Sequence, residues 1–214
     1  MPSDALVLGF DTSAAHCAAA LVSGDTVLAQ ASEDMAKGQA ERLMPLLEQV
    51  LAQGGAAWSD LAAIGVGIGP GNFTGIRISV AAARGLSLGL GVPAIGVSVF
   101  DARAHGLPRP LYVVEDARRG MVYVQEFRDV PQDPLLQDLS DIGFAVEAPL
   151  VGTGAALAAE RADLPVLVAS VPLAVAIAQI AASRLGTPQP RPAPLYLRAP
   201  DAAPSNDPGP VMLS

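Results

Sequence analysis

The chain has 214 residues and a formal net charge of −8, because 21 acidic side chains outnumber 13 basic ones. Such a balance excludes broad binding of nucleic acid or of an anionic membrane, and leaves open only a local nucleic-acid contact or one made through a basic partner. Apolar residues make up 51% and charged residues 16%, which excludes a disordered chain. An aromatic content of 4% disfavours a platform for stacked bases.

Few residues are available for metal or disulfide chemistry. Cys17 is the only cysteine, so an intrachain disulfide and a cysteine-based zinc or iron–sulfur site are excluded, and we expect a small buried apolar side chain. His16 and His105 are the only histidines and lack the spacing of a zinc motif. The chain has no basic leader and no apolar run of about 18 residues, which predicts a cytoplasmic protein without a membrane segment.

The first half predicts a three-stranded meander followed by alternating helices and strands. Its expected elements are strands at 5–11, 17–22 and 26–30, a helix at 39–53, a strand at 61–68, a glycine loop at 69–71, a helix at 72–90 and a strand at 92–97. Pro45 predicts a kink or a late start in the first helix.

The second half repeats this order. It predicts strands at 111–116, 121–127 and 150–151, a helix at 155–162, a strand at 166–168 and a helix at 171–185. The repeat predicts two subdomains, 1–100 and 101–198, that face each other across a cleft. Eight of the 19 prolines lie between Pro188 and Pro210, so that segment is expected to form no regular element. Residues 199–214 are predicted to be a tail that is disordered or ordered only by a partner, and that folding does not need.

Two glycine loops each follow a strand and open a helix. The first lies within the glycine-rich segment Gly65–Arg77, and Gly69, Gly71 and Gly152 are the candidate phosphate contacts, because helix N-termini attract anions. The loops match neither nucleotide fingerprint, and no lysine follows to neutralise a phosphate. The alternative is tight packing between strand and helix.

Asp11 and Asp116 each end the first strand of their half, immediately before a turn. Together with a bound phosphate they could hold magnesium, or each could cap its own turn. Arg118 and Arg119 follow at a predicted hairpin tip, which is either an anion or partner contact or a solvated turn.

The helices at 39–53 and 72–90 offer candidate partner-binding faces. These faces contain either large apolar or small residues at helical spacing, namely Leu43, Leu47, Val50, Leu51, Gly75, Ser79, Ala83 and Ser87. Small residues let a neighbouring element approach closely. That neighbour is a partner helix, the chain's own sheet, or one on each side, because a helix has two faces. A second small stripe consists of Ala81, Gly85 and Gly89.

Four segments resemble one family. The segment Gly69-Pro-Gly-Asn-Phe-Thr-Gly-Ile-Arg77 is similar to the signature GPGSFTGLR of the TsaB (YeaZ) family of tRNA threonylcarbamoyladenosine biosynthesis proteins. Asp11-Thr-Ser13 resembles its opening, 116–123 its DARRGEVY segment and Pro194-Leu-Tyr-Leu-Arg198 its ending. Met121 and Gln39 depart from the common glutamate and histidine.

This resemblance implies an α/β, duplicated actin-like (ASKHA, ribonuclease-H-like) fold with two subdomains of mixed sheets flanked by helices. It implies a non-catalytic scaffold that activates the catalytic relative TsaD in a heterodimer, works with the ATPase TsaE and meets tRNA only through the complex. Without that partner, the chain could instead form a homodimer. ATP and threonylcarbamoyl-adenylate belong to the complex, and this chain alone is expected to bind no cofactor or metal.

A rival interpretation is an enzyme. The chain would then be a small actin-fold phosphotransferase that holds ATP and magnesium with Asp11 and Asp116. Peptidase is an old label for relatives, but this sequence has neither a nucleophile with its base nor a His-x-x-x-His metal motif.

Overall fold

The computed structural model describes residues 5–198, so the predicted disorder of 199–214 lies outside the described residues. The strands are β1 (Leu6–Asp11), β2 (His16–Ser23), β3 (Thr26–Asp34), β4 (Leu61–Gly67), β5 (Ala94–Val97), β6 (Leu111–Asp116), β7 (Met121–Phe127), β8 (Leu135–Asp138) and β9 (Leu150–Val151). The helices are α1 (Gln39–Gln53), α2 (Phe73–Leu90), α3 (Val99–Ala104), α4 (Ala155–Ala162) and α5 (Leu173–Ser183).

The two sheets share one strand order. The first runs β3-β2-β1-β4-β5 and the second runs β8-β7-β6-β9. In each sheet the first strand of the half pairs antiparallel with the second and parallel with the fourth. The segment after α4 adds a parallel bridge between Leu150 and Val166 at the open side of β9. The predicted duplication of mixed sheets is therefore present.

Three local features differ from the prediction. The short α3 and β8 were not expected, because six and four residues carry too little periodicity to be recognised. Pro45 does not interrupt α1, since the carbonyl that it leaves without an amide belongs to the exposed Glu41. The predicted strand at 166–168 is reduced to the single bridge.

Helix α5 lies in the second half of the chain but packs on the first sheet. A Cβ on Gly9 would lie 2.6 Å from the amide nitrogen of Ala178, and one on Gly65 would lie 2.9 Å from the Cβ of Ala181. Two glycines and an alanine-rich helix thus bring the backbones together. Helices α1 and α2 contact this sheet as well. The boundary at residue 100 stays a prediction, and α5 belongs to the core of the first sheet.

Among residues 5–198, none of the helices combines the length and the apolar composition needed to cross a membrane.

Candidate functional site

The turn between β1 and β2 is organised around one buried carboxylate. Asp11 is fully buried, and its Oδ1 accepts hydrogen bonds from Ser13 N at 2.9 Å and Ser13 Oγ at 2.8 Å. The same oxygen lies 2.7 Å from His16 Nε2. This oxygen is wholly engaged within its own turn, which is the capping role that the sequence left open.

The second oxygen of Asp11 lies over a glycine. A Cβ on Gly67 would come within 1.9 Å of Oδ2, so only glycine fits opposite this carboxylate. Oδ2 is buried and has no hydrogen-bond partner within residues 5–198. The buried Asp11 carboxylate therefore packs directly against the Gly67 backbone.

The first glycine loop packs directly on this turn. A Cβ on Gly71 would lie 2.2 Å from the carbonyl oxygen of Ser13, and one on Gly75 would lie 1.9 Å from that of Thr12. Thr12 Oγ1 also donates to the Gly75 carbonyl at 2.7 Å. Gly69 adopts φ +93°, a left-handed conformation that glycine tolerates. Gly71 and Gly75 therefore allow the backbone of the loop to contact the backbone of the β1–β2 turn.

The amides at the start of α2 are largely used within the chain. Asn72 N donates to the Ser13 carbonyl at 2.6 Å, and the Asn72 side chain accepts from Thr74 N at 3.0 Å and Gly75 N at 3.3 Å. Such amides are the donors that a phosphate needs at a helix N-terminus. The geometry therefore favours the packing interpretation of this loop.

The second glycine loop is closed in the same way. A Cβ on Gly152 would lie 2.3 Å from the Val114 carbonyl oxygen, and Gly154 N donates to that carbonyl at 2.9 Å. Thr153 Oγ1 donates to Glu115 Oε2 at 2.8 Å. Each glycine loop thus supports the end of the first strand of its own half.

Glu115 and Arg103 were not among the predicted site residues. Arg103 Nε donates to Glu115 Oε1 at 2.9 Å, and only about a tenth of the Glu115 side chain is exposed. The pair ties α3 to β6. A charged residue late in an otherwise apolar strand was the only signal in the sequence.

The β6–β7 hairpin tip is exposed and carries two adjacent arginines. Asp116 is exposed, and its Oδ1 accepts from Arg118 N at 2.7 Å, so this carboxylate also caps its own turn. Arg118, Arg119 and Gly120 have φ of 61°, 54° and 75°. A left-handed conformation costs a residue other than glycine about 1–2 kcal/mol. The two arginines therefore hold a conformation that glycine or asparagine would adopt more easily.

The predicted partner-binding stripe on α2 is wrong for its first three members, which are buried within this chain. Gly75 packs on the backbone of the β1–β2 turn, Ala83 packs in the core of the first sheet, and Ser79 Oγ donates to the Gly67 carbonyl at 3.2 Å. Ser87 is half-buried, and its hydroxyl donates to the Val92 carbonyl at 2.6 Å. The small side chains bring α2 close to β4.

The apolar face of α1 is likewise turned inward. The four residues predicted to meet a partner are buried in the core beneath the helix, namely Leu43, Leu47, Val50 and Leu51. They cannot offer side chains to a partner without unfolding, so this prediction is also wrong. The exposed residues of these two helices include Met44 on α1 and Ala81, Gly85, Leu88 and Gly89 on α2, and 84% of Leu88 is exposed.

Two of the signature segments meet in space. The Phe73 and Tyr196 rings stack with centroids 4.9 Å apart, and the Arg77 guanidinium lies 3.8 Å from the centroid of Phe73. Arg77 Nε donates to the Tyr196 hydroxyl at 2.9 Å. Leu195 N donates to the Ile68 carbonyl at 2.8 Å. The segment 188–198, here called the C-terminal strap, is thus fastened beside the first glycine loop.

Cys17 behaves as the sequence predicts. It is buried, and burial, followed by the nearby Glu33 carboxylate, raises the pKa of its thiol to about 11. The thiolate is therefore scarce at neutral pH, and the residue packs as a small apolar side chain.

The repeated sheet order defines a protein of the duplicated actin-like class. Among solved structures, YeaZ from Pseudomonas aeruginosa superposes with a TM-score of 0.73 at 26% identity, over 90% of this chain and all of that one. The predicted fold class is therefore confirmed.

The particular family follows from sequence. A family model described as "TsaD: tRNA N6-adenosine threonylcarbamoyltransferase" matches residues 27–141. The chain is 35% identical to the tRNA threonylcarbamoyladenosine biosynthesis protein TsaB of Escherichia coli over 57% of this chain and 54% of that protein. It is also 35% identical to the uncharacterized protein Rv3421c of Mycobacterium tuberculosis over 92% of this chain and 94% of that one. The chain belongs to the TsaB (YeaZ) family.

Proposed function

We propose that this chain takes part in tRNA threonylcarbamoyladenosine biosynthesis as a non-catalytic subunit. It binds and activates a catalytic relative of the TsaD kind, and TsaE and tRNA join through that complex. The observation that carries the proposal is the closure of both glycine loops. The first loop is filled by the Thr12 and Ser13 backbone, and the second by the Val114 backbone. A phosphate-transfer site needs free donors at these loops.

The rival phosphotransferase needs Asp11 and Asp116 to share one metal and one nucleotide. Each carboxylate instead caps its own hairpin turn, and Asp11 is fully buried. We expect the isolated chain to show no saturable ATP binding in calorimetry and to form no threonylcarbamoyladenosine with tRNA, as measured by nucleoside mass spectrometry. Turnover by the pure chain that Asp11→Ala abolishes would establish the rival.

The partner is expected on the outward faces of α1 and α2. Ala81, Gly85 and Gly89 are small and exposed, and a Cβ on either glycine would meet nothing within 4 Å. A second helix can therefore approach this strip closely. Leu88 on α2 and Met44 on α1 add exposed apolar surface to these outward faces, which suits the apolar centre of an interface.

Co-purification with the TsaD relative of the same genome tests the proposal. The wild-type chain should retain that protein, and Ala81→Trp should weaken retention at least tenfold while the melting temperature stays within a few degrees. Ala156→Trp, which adds the same bulk to an exposed site on α4, is the matched control and should bind normally. Normal binding by a folded Ala81→Trp variant would exclude this face, and no retention by the wild type would exclude the partnership.

A further inference from the structure

We propose that the arginine tip, Arg118 and Arg119 on the β6–β7 hairpin, contacts phosphate groups of the RNA backbone. The inference rests on the proposed role in tRNA modification and adds a contact made by this chain itself. It differs from the expectation that tRNA meets only other subunits of the complex.

Both guanidiniums are uncommitted. Four other arginines within residues 5–198 form ion pairs with carboxylates, and Arg109 lies over the Phe127 ring. Arg118 and Arg119 are exposed, and neither guanidinium has a hydrogen-bond or ion-pair partner in the described part of the chain. The carboxylate nearest in sequence, Asp116, accepts from the Arg118 amide through Oδ1 and forms an ion pair with neither guanidinium. The tip therefore presents free positive charge on a chain of net charge −8.

Backbone hydrogen bonds hold the tip in a conformation that does not suit arginine. Ala117 N donates to the Met121 carbonyl at 3.0 Å, Met121 N donates to the Arg118 carbonyl at 3.0 Å, and Leu139 N donates to the Gly120 carbonyl at 2.8 Å. A merely solvated turn with positive φ is best built from glycine or asparagine. Two adjacent arginines here make the fold less stable, so we attribute their presence to their side chains.

The surroundings favour a phosphate backbone over a protein partner. The exposed residues of the tip are Asp116, Arg118, Arg119 and Gly120, and none of them is apolar. Protein interfaces have an apolar, water-excluding centre, whereas contacts to phosphates consist largely of charged and polar groups. Guanidinium forks bind phosphates in a bidentate way, and adjacent forks can serve neighbouring phosphates.

The first arm of the experiment measures stability. The double variant Arg118→Gly with Arg119→Gly should melt at the same temperature as the wild type or above it, because glycine relieves the left-handed backbone. The variant with asparagine at both positions repeats this test of stability, because asparagine also tolerates the left-handed conformation. A drop of several degrees in both variants would show that the arginines serve the fold, and would overturn the proposal.

The second arm measures binding of unmodified tRNA by fluorescence anisotropy between 50 and 200 mM salt, using the chain in complex with its TsaD relative. Each phosphate contact contributes roughly 0.7–0.9 to the slope of log K against log salt, so the glycine variant should have a slope shallower by about 1.4–1.8. Its affinity at the lowest salt should be about tenfold weaker or more. Arg118→Lys with Arg119→Lys should keep most of the slope.

The matched control is Lys37→Ala with Arg191→Ala, which removes the same charge from two other exposed side chains that have no hydrogen-bond or ion-pair partner within residues 5–198. An equal loss of tRNA affinity in this control, or an unchanged slope in the glycine variant, overturns the proposal. Loss of the partner protein instead of tRNA shows that the tip is a protein contact and also overturns it. Inorganic phosphate and ATP at millimolar concentration should compete with tRNA only weakly, and strong competition would indicate a small-molecule site instead.

Failure of the proposed function can be distinguished from failure of the tip contact. If the wild-type chain retains no TsaD relative, the anisotropy series is run on the full chain alone with the same tRNA. Salt-dependent binding that the glycine variant loses then still supports the tip contact. A wild-type chain that binds no tRNA in either setting refutes it.

Discussion

Asp11 and Gly67 lie at the carboxyl ends of adjacent parallel strands, β1 and β4. The Asp11 side chain occupies the space that a side chain at position 67 would need. The carboxylate gains three contacts on Oδ1 from Ser13 and His16 and places Oδ2 over bare backbone. The requirement for glycine at position 67 therefore comes from Asp11, although the two residues are far apart in sequence.

Gly67→Ala should destabilise the chain by roughly 1–3 kcal/mol, the usual cost of overpacking, because the new methyl would lie 1.9 Å from Asp11 Oδ2. Asp11→Ala alone should also cost about 1–3 kcal/mol, since buried donors lose their acceptor. The double variant should cost less than the sum, and urea unfolding of all three variants measures the coupling. Strict additivity would show that the contact does not set the glycine.

Part of this site is predictable from local sequence. An aspartate two residues before a serine at the end of a strand predicts the turn cap found at Asp11. The pairing of Glu115 with Arg103 could not be predicted, because it depends on how α3 lies against β6. Whether each glycine loop is filled by other backbone or binds a phosphate also depends on tertiary structure, so the sequence alone leaves both interpretations open.

Helix α2 shows why a small-residue stripe does not by itself identify a partner surface. Its two stripes are separated by a rotation about the helix axis, and both have small side chains. The stripe through Ala83 faces the sheet because β4 is itself rich in glycine and alanine, whereas Ala81 faces outward. The sequence predicts the helix and its two faces, but the choice between them depends on packing against β4, which the helix sequence alone does not show.

Ala83→Trp and Ala81→Trp separate these faces on one helix. Ala83 is fully buried, so an indole there should cost at least the roughly 1–3 kcal/mol of ordinary overpacking and should unfold the chain at moderate temperature. Ala81 is exposed, so its substitution should change stability by about 0.5 kcal/mol or less. Circular dichroism melting compares the two, and equal melting temperatures would contradict the assigned orientation of α2.

Long, periodic elements are the ones that sequence predicts well. Helix α1 has the predicted bounds because its apolar spacing repeats over several turns, and β6 and β7 have theirs because each is a mainly apolar run that ends at the Asp116–Gly120 turn. The short α3 depends on a single cap, in which Ser98 Oγ accepts from Asp101 N, and its six residues reveal no face. Such elements are selected by the packing around them.

At the scale of the molecule, the C-terminal strap connects the two halves without forming a regular element. Its Pro192 carbonyl accepts from Arg84 Nε at 2.8 Å, and its Leu195 amide reaches the Ile68 carbonyl in the first half. Leu195 and Leu197 also pack against the apolar cluster of the second half, which contains Leu111. Proline suits this role, because an extended segment with few amide donors leaves few of them unsatisfied.

Two truncations test the strap against the tail. Ending the chain after Arg198 should leave the melting temperature unchanged, because 199–214 is rich in alanine and proline and can bury little. Ending it after Gln189 removes the Tyr196 stack, two hydrogen bonds to the strap backbone and the packing of its leucines. We expect a loss of about 2–3 kcal/mol, which corresponds to a fall of about 4–12 °C in a chain of this size. If the longer truncation melts like the wild type, the strap does not hold the halves together, and a large fall on removing 199–214 would place that function in the tail.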